Sequence, residues 1–254
     1  MNSHVAAFIA SAKQELAPYL DCTGLCIYSA AESVRENNPV AYWGFNPGQD
    51  PTVEDCTHWT IEEFLDKFPE QHLSLIDNQE WPNARRGTKA GTNGRKEFAG
   101  HHPVGRSPYQ KGVRHLLEQI GCADAVVTNF LFLQSSKANA FKFGDPKTKS
   151  LVEKCWRVHK SIFRITNPRV IITTAGVVEY LKYYRLMELV KECEMDSGYS
   201  NWKCVLYRST MGCVIQAPHM SYWGGCITNS GSKVAIRSNA AVRWIVEKAK
   251  ASIA

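Results

Sequence analysis

Four short segments each follow directly after a β-like apolar run, and this arrangement constrains the fold more than any other feature of the chain. They read Gly-Phe-Asn-Pro-Gly at 44–48, Thr-Asn-Phe at 128–130, Thr-Thr-Ala-Gly at 173–176 and Pro-His-Met-Ser at 218–221. In open α/β sheets the functional groups lie in the crevice at the carboxyl ends of the strands. The four segments, although distant in sequence, are therefore predicted to meet at one site.

The apolar runs alternate with segments of helical periodicity. Strands are predicted at 40–43, 125–128, 169–172 and 213–216, and helices at 5–16, 60–68, 107–121, 151–167 and 176–191. A last helix is predicted to begin with Ser238 as its cap, and Thr60 with Glu63 forms a capping-box sequence. Alternation of this kind predicts an α/β protein with three αβα layers and a mainly parallel central sheet.

The ordered set of segments resembles the uracil-DNA glycosylase superfamily, in particular its Gly-x-Asn-Pro-Gly branch of single-strand-selective and mismatch-specific enzymes. In that family the first strand ends in such a turn, the second ends near a base-reading Asn, and the last ends in His-Pro-Ser. The resemblance covers about residues 40–225. It implies a uracil-DNA-glycosylase-like fold and a monofunctional glycosylase that hydrolyses the N-glycosidic bond of a flipped uracil-like or 5-modified pyrimidine, leaving an abasic site.

Length and composition favour a single domain spanning 1–254, because 254 residues with 44% hydrophobic composition can bury a full core. The sequence contains neither a secretory signal nor an apolar run of about 18 residues, so we expect no membrane contact and a cytoplasmic location, or a nuclear one in a eukaryote. Nine cysteines without a Cys-x-x-Cys pair are typical of buried single thiols in a reducing compartment. We expect no metal, no cofactor and a monomer.

A basic, glycine-rich insertion is predicted at about 81–106. Between Trp81 and His115 the chain carries eight Lys or Arg and the single acid Glu97. We expect a mobile basic loop that binds DNA phosphates, since charge neutralisation releases counterions without rigid geometry; an ordinary solvated insertion is the alternative. The proposed DNA-binding residues of this insertion are Arg85, Arg86, Lys89, Arg95 and Lys96.

The resemblance gives Asn46 the catalytic position, where it orients a water beneath the sugar C1′. An amide cannot take a proton at neutral pH, so Asn46 positions this nucleophile and does not act as a base. Residues 48–51, Gly-Gln-Asp-Pro, reproduce the start of another signature of the family, which makes Asp50 a rival catalytic base. Alignment by the strand favours Asn46.

The base pocket is assigned to four residues. The amide of Asn129 offers a donor and an acceptor to O4 and N3–H of a pyrimidine. Phe45 and Phe130 are candidates for stacking on the base, with a plain core role as the alternative. Strand alignment puts Gly48 where other uracil enzymes carry a tyrosine that excludes 5-substituted bases, and a glycine there leaves room for a 5-substituent.

The last segment supplies His219, which by resemblance donates to the base O2 as negative charge grows there. It departs from the family pattern, because Pro218 precedes the histidine and Met220 follows it. Beyond it, Ser221 is assigned to DNA binding, and Tyr222 or Trp223 is predicted to enter the base stack as a wedge on an exposed turn. Relatives use this loop in that way.

Two further functions remain open. One is a catalytically silent module that binds modified DNA in the same pocket. The other is a metal-dependent nuclease, which the lack of clustered carboxylates near the strand ends disfavours. The biological role is open as well, between housekeeping repair and defence against phage DNA with hypermodified cytosine.

Overall fold

The computed structural model of the chain describes residues 2–47, 59–70, 88–90, 96–98, 108–135, 140–229 and 233–254. For residues 88–90, 96–98 and 234 it describes the backbone alone. All statements on structure concern these residues.

The centre of the fold is a sheet of six strands, and the four predicted strands form its parallel part. These are β1 (Val40–Gly44), β4 (Val126–Asn129), β5 (Val170–Thr173) and β8 (Gly212–Gln216). The sheet is completed by β6 (Val190–Asp196) and β7 (Lys203–Ser209), and its order is β4-β1-β5-β8-β7-β6. Strand β7 is antiparallel to both of its neighbours, β6 and β8, so the sheet is mainly but not wholly parallel.

Seven α-helices are described. They are α1 (Ser3–Glu15), α2 (Ile61–Lys67), α3 (Pro108–Ile120), α4 (Pro146–Thr166), α5 (Ala175–Tyr183), α6 (Met220–Ile227) and α7 (Lys233–Ile253). Helix α2 begins with the predicted capping box: the Glu63 N–H donates to the Thr60 hydroxyl over 3.1 Å, and Glu63 Oε2 accepts from the Thr60 N–H over 2.8 Å. Helix α3 ends before Gly121, which has φ +87°.

Helices cover both faces of the sheet. Successive strand residues point to opposite faces, and in β1 the ring of Trp43 packs on Phe163 of α4, with 5.4 Å between centroids. The neighbouring Tyr42 contacts Tyr109 of α3 on the other face, at 6.1 Å. Helix α1 packs against α4, whereas α3, α6 and α7 pack together on the Tyr42 side. The arrangement is compatible with the three layers predicted from the sequence.

Two of the predicted helices differ from the structure. The helix predicted over 176–191 ends at Tyr183, and residues 190–196 form strand β6 instead. Arg185 adopts φ +52°, a left-handed conformation that stops the helix without a glycine. The prediction that Ser238 caps the last helix is also wrong, since α7 begins at Lys233 and Ser238 lies buried within it.

The basic insertion contains a short antiparallel ribbon. Strands β2 (Thr88–Ala90) and β3 (Lys96–Phe98) pair so that Lys89 lies opposite Glu97. Part of the segment predicted as a loop is therefore regular β-structure. The remainder of 81–106 lies outside the described residues.

The buried apolar residues form one connected hydrophobic cluster on both faces of the sheet. His159 of α4 is fully buried within it, where its Nε2–H donates to the carbonyl oxygen of Phe130 over 3.1 Å. Burial lowers the pKa of His159 from 6.5 to about 4, so the ring is neutral at pH 7. Within the described ranges, no helix combines the length and apolar character needed to cross a membrane.

Candidate active site at the carboxyl edge of the sheet

The sheet brings the four predicted segments to one edge. In the parallel register Gly44 pairs with Asn129, Trp43 with Thr173, and Thr173 with Gln216, so four strands end level with one another. Strand β1 lies between β4 and β5, and the direction of strand addition reverses beside it. Such a switch point is where open α/β sheets bind their ligands.

The segments after β1 and β4 remain paired beyond the strands. The Phe130 N–H donates to the Gly44 carbonyl and the Leu131 N–H to the Phe45 carbonyl, each over 2.8 Å. Further on, the Ser135 N–H donates to the Pro47 carbonyl over 3.0 Å. This extended pairing gives the first two segments fixed backbone positions.

The side chain of Asn46 is held by two main-chain carbonyl groups. Its Nδ2 donates to the oxygen of Pro47 over 2.8 Å and to that of Ser135 over 3.2 Å. Two carbonyl acceptors identify this amide atom as the nitrogen, since an oxygen there would face two oxygens. The remaining polar atom is Oδ1, an acceptor suited to hold a water O–H in one direction.

Asn129 is the last residue of β4, and its amide lies across Gly44. A Cβ added at Gly44 would collide with Asn129 Oδ1, which explains why this position is a glycine. Asn129 is 3% exposed, and its Nδ2 has no hydrogen-bond partner with acceptable geometry among the described residues. The amide does act on the Tyr28 hydroxyl, where it opposes the increase in pKa caused by burial. Nδ2 is therefore a buried donor near the Tyr28 hydroxyl that makes no well-formed hydrogen bond among the described residues.

His219 follows β8 and begins helix α6. Its Nδ1 accepts from the Ser221 N–H over 3.2 Å, so a neutral ring carries its proton on Nε2. Burial lowers the pKa of His219 below its ordinary 6.5, which favours this neutral form at pH 7. Its ring lies between those of Tyr109 and Tyr222, each at 6.0 Å.

The exposed turn predicted after Ser221 is replaced by helix α6. Trp223 is fully buried, and its Nε1–H donates to Ser238 Oγ over 3.0 Å, so the prediction that Trp223 enters a base stack is wrong. Gly224 lies against Gly112 and the carbonyl of Pro108 because α6 and α3 pack closely. Tyr222, in contrast, is 61% exposed and is the aromatic residue at this helix start that faces solvent.

The two phenylalanines assigned to stacking occupy different environments. Phe130 is fully buried against His159 and Trp43, so it belongs to the core and not to a base platform. Phe45 keeps 8% exposure and packs on Tyr180 of α5, with 5.1 Å between centroids. Of the pair, Phe45 is the one that remains at the edge of the sheet.

Sequence reasoning missed three aromatic residues near this edge. Tyr42 and Tyr109 each bury a hydroxyl that has no hydrogen-bond partner among the described residues. Trp202, 37% exposed, precedes β7 and contacts Tyr222 at 6.1 Å. An antiparallel strand begins where its parallel neighbour ends, which places Trp202 beside His219. The Trp-Lys-Cys-Val-Leu-Tyr run at 202–207 was the available signal for this strand.

The other predicted site residues fall outside the described residues. They are Gly48, Asp50, Arg85, Arg86 and Arg95, together with the side chains of Lys89 and Lys96. Lys111 and Arg114, which belong to the same basic stretch of sequence, line a cleft of about 230 Å³ with His115, Glu118 and Thr228. Helix α3 thus contributes Lys111 and Arg114 to a solvent-facing cleft that also contains Glu118.

The described edge can perform a specific set of tasks. It offers an acceptor that orients water (Asn46), an open amide donor (Asn129) and a neutral imidazole donor (His219). In the part of the chain that the structure describes, no three His, Cys, Asp or Glu side chains are grouped as metal ligands. The chain matches no protein-family model and no curated protein.

Proposed function

We propose that the chain is a monofunctional DNA glycosylase of the uracil-DNA glycosylase superfamily. It hydrolyses the N-glycosidic bond of a flipped uracil-like or 5-modified pyrimidine and leaves an abasic site. The observation that carries the proposal is the level ending of β4, β1, β5 and β8, which gathers Asn129, Asn46 and His219 at a switch point.

In this mechanism Asn46 Oδ1 accepts one hydrogen of a water and directs its oxygen at C1′. The bond between C1′ and the base nitrogen breaks with its electron pair moving onto the base, and the water oxygen forms the new bond to C1′. The water loses a proton to solvent, because the Asn46 amide cannot take it. Restricting the water to one orientation lowers the barrier through the entropy already lost on binding.

His219 supports the leaving base. Negative charge grows on the base O2 as the bond breaks, and Nε2–H is a donor suited to that oxygen. A neutral imidazole does this without first being charged in a buried place, which agrees with its lowered pKa. One donor of this type contributes on the order of 10²–10³ in rate.

Asn129 gives the pocket its selectivity. Its Nδ2 makes no well-formed hydrogen bond among the described residues, so a ligand atom that accepts a hydrogen bond gains a favourable contact there. The exocyclic oxygen of a uracil-type base is such an atom. The flipped nucleotide would leave a gap in the stack, and the exposed ring of Tyr222 is the described side chain available to fill it.

Base release is tested on oligonucleotides that carry uracil, 5-hydroxymethyluracil or glucosylated 5-hydroxymethylcytosine. Single strands and duplexes are incubated with the protein, and abasic sites are detected by alkaline cleavage. Cleavage products that appear only after alkali support the glycosylase. Strand cleavage without alkali that a chelator abolishes would instead indicate a metal-dependent nuclease.

A silent binding module is the second candidate, and the environment of Asn46 favours it. Both hydrogens of the amide are used by main-chain carbonyls, and no proton acceptor stronger than an amide oxygen is contributed by this residue. A protein that shifts modified DNA on a gel yet forms no abasic site from the same oligonucleotide would be this module.

A further inference from the structure

A group of buried polar atoms without partners lies beside the candidate active site. The hydroxyl groups of Tyr42 and Tyr109 and the Nδ2 of Asn129 are each buried and unpaired among the described residues. Leaving such a buried group unsatisfied destabilises a fold. Three in one place therefore need a physical explanation.

The three groups surround one glycine. A Cβ at Gly44 would meet the Tyr109 hydroxyl at 3.1 Å as well as colliding with the Asn129 amide. Tyr42 precedes Gly44 by two residues, so both face the same side of β1. The rings of Tyr42 and Tyr109 are 6.1 Å apart. Gly44 thus lies beneath a buried polar cluster formed by the Asn129 amide and the Tyr109 hydroxyl, with Tyr42 on the same side of the strand.

All three groups are hydrogen-bond donors at neutral pH. Burial raises the pKa of both phenols, so Tyr42 and Tyr109 keep their protons. The Asn129 oxygen lies against Gly44, and Nδ2 is the amide atom near the Tyr28 hydroxyl that makes no well-formed hydrogen bond among the described residues. The Tyr109 hydroxyl and Asn129 Nδ2 are therefore complementary to a ligand atom that has two free lone pairs.

Tyr109 contacts both Gly44 and His219. Its hydroxyl reaches Gly44, while its ring is half-buried and lies 6.0 Å from the imidazole of His219. It stands on the first turn of α3, which is fixed to α6 by the contact of Gly112 with Gly224. Tyr109 therefore lies next to both Asn129 and His219, the two residues that are assigned to bind the base.

We propose that Tyr109 is a specificity-determining residue. Its hydroxyl donates to the carbonyl oxygen O4 of the bound pyrimidine, the same oxygen that accepts from Asn129 Nδ2. A carbonyl oxygen has two lone pairs and satisfies both donors at once. An exocyclic amino group at that position has hydrogens to donate and cannot satisfy them. This inference rests on the proposed function, and it adds a residue that the sequence segments did not contain.

The test is a cycle in which one atom is changed on each side of the contact. The Tyr109→Phe variant removes the hydroxyl, and 4-thiouracil replaces the accepting oxygen with the weaker acceptor sulfur. Release of uracil and of 4-thiouracil from single-stranded oligonucleotides is measured for both proteins, together with their unfolding midpoints in urea. Tyr184→Phe is the matched control, since it also removes a hydroxyl that makes no well-formed side-chain hydrogen bond among the described residues, and its ring contacts Phe143 and Tyr183 instead.

The contact predicts that Tyr109→Phe lowers kcat/KM for uracil by about tenfold, the value of one buried hydrogen bond. The same variant should change release of 4-thiouracil much less, and its unfolding midpoint should stay the same or rise because an unsatisfied group has gone. Tyr184→Phe should leave both rates as they are. Equal loss with both bases, or no loss with either, overturns the role of Tyr109 while the glycosylase proposal stands.

Failure of the proposed function has a separate signature. In that case the wild-type protein releases no base, and binding of free uracil is measured by the shift it causes in the unfolding midpoint. A shift that Tyr109→Phe removes and Tyr184→Phe keeps supports the contact in a binding pocket without catalysis. No shift for the wild-type protein overturns both proposals.

Discussion

The main-chain N–H of Ser221 donates to Nδ1 of His219 over 3.2 Å, so the side chain that caps helix α6 is also the one that offers an Nε2–H donor at the sheet edge. One hydrogen bond fixes the ring, its tautomer and the start of the helix together. Stability and reactivity at this position can be separated, because asparagine caps helices well but carries no imidazole.

We expect His219→Ala and His219→Asn to lower turnover alike, by about 10²–10³-fold, because alanine has no donor and the shorter asparagine amide does not reach the position of Nε2. Their free energies of unfolding should differ: the alanine variant loses about 1 kcal/mol with the cap, whereas the asparagine variant stays within a few tenths of the wild type. Single-turnover base release and urea unfolding measure the two effects. Wild-type turnover in His219→Asn would remove the imidazole from the mechanism.

Asn46→Ala should reduce single-turnover base release by about 10²-fold while the DNA dissociation constant changes little, because a positioned water contributes to the transition state more than to binding. Asp50→Asn is the comparison variant, and its effect should be smaller. Fluorescence anisotropy with a labelled oligonucleotide gives the binding side of the measurement. If Asp50→Asn abolishes release and Asn46→Ala does not, the alignment of the first strand is wrong.

The stability of the fold should fall as the pH is lowered from about 6.5 to 4, because His159 is buried in its neutral form. Its pKa drops from 6.5 in the unfolded chain to about 4 in the fold, so the unfolded state binds a proton first. Above pH 6.5 the contribution is complete, and below about pH 4 roughly 3 kcal/mol has been lost. His219, whose pKa is lowered by burial too, contributes in the same direction.

Urea unfolding at pH 7 and pH 4.5 measures this loss. His159→Phe keeps an aromatic ring in the core and should flatten the pH dependence, although the hydrogen bond to the Phe130 carbonyl is gone. His4→Asn, at the half-exposed start of α1, should keep the wild-type slope. An unchanged slope in His159→Phe would show that other groups cause the acid sensitivity.

Tyr222→Ala should impair base release from duplexes more than from single strands, because a wedge matters only where a base pair must open. The loss of one stacked ring corresponds to about 1–3 kcal/mol in affinity for a flanking base. Trp202→Ala tests whether the adjoining ring belongs to the same surface. Equal activity of Tyr222→Ala and wild type on both substrates would exclude the wedge.

Replacing the basic residues of the insertion together should weaken binding to all DNA sequences alike and flatten the salt dependence, since phosphate contacts carry little sequence information. The variant replaces Arg85, Arg86, Lys89, Arg95 and Lys96 with alanine. Affinity is measured at several salt concentrations, and base release at saturating DNA should remain. An unchanged slope of log affinity against log salt would exclude the insertion from the interface.

Much of the fold could be predicted because its signals are local. Each parallel strand is an apolar run that ends in a polar turn. The start of α2 at Thr60 and the end of α3 at Gly121 are likewise determined by residues close together in the sequence. The end of α5 could not be predicted in this way. Arg185 adopts a left-handed backbone although it is not a glycine, and the helical periodicity of the sequence continues past it.

The site was harder to predict than the strands because a residue type can serve two purposes. Gly224 suggested an exposed turn, but in the structure this glycine allows helix α6 to approach α3 closely. As a result Trp223, which was predicted at the surface, lies in the core. The position of Tyr109 at the site could not be predicted, since nothing within its helix indicates that its hydroxyl would reach Gly44 on a strand. Contacts between layers decide such positions, and sequence spacing does not encode them.

The hairpin of β6 and β7 borders the candidate site but lies outside the parallel part of the sheet. Its turn, residues 197–202, presents Trp202 beside the candidate site, yet β6 pairs with β7 alone and takes no part in the parallel strands. Ser197 is buried and Gly198 packs on the backbone of α7, so only the exposed tip of the turn, residues 200–202, can be exchanged without altering the segments that hold Asn46, Asn129 and His219. Under the proposed function, exchanging this tip would vary the contact with nucleic acid while the residues assigned to catalysis stay unchanged.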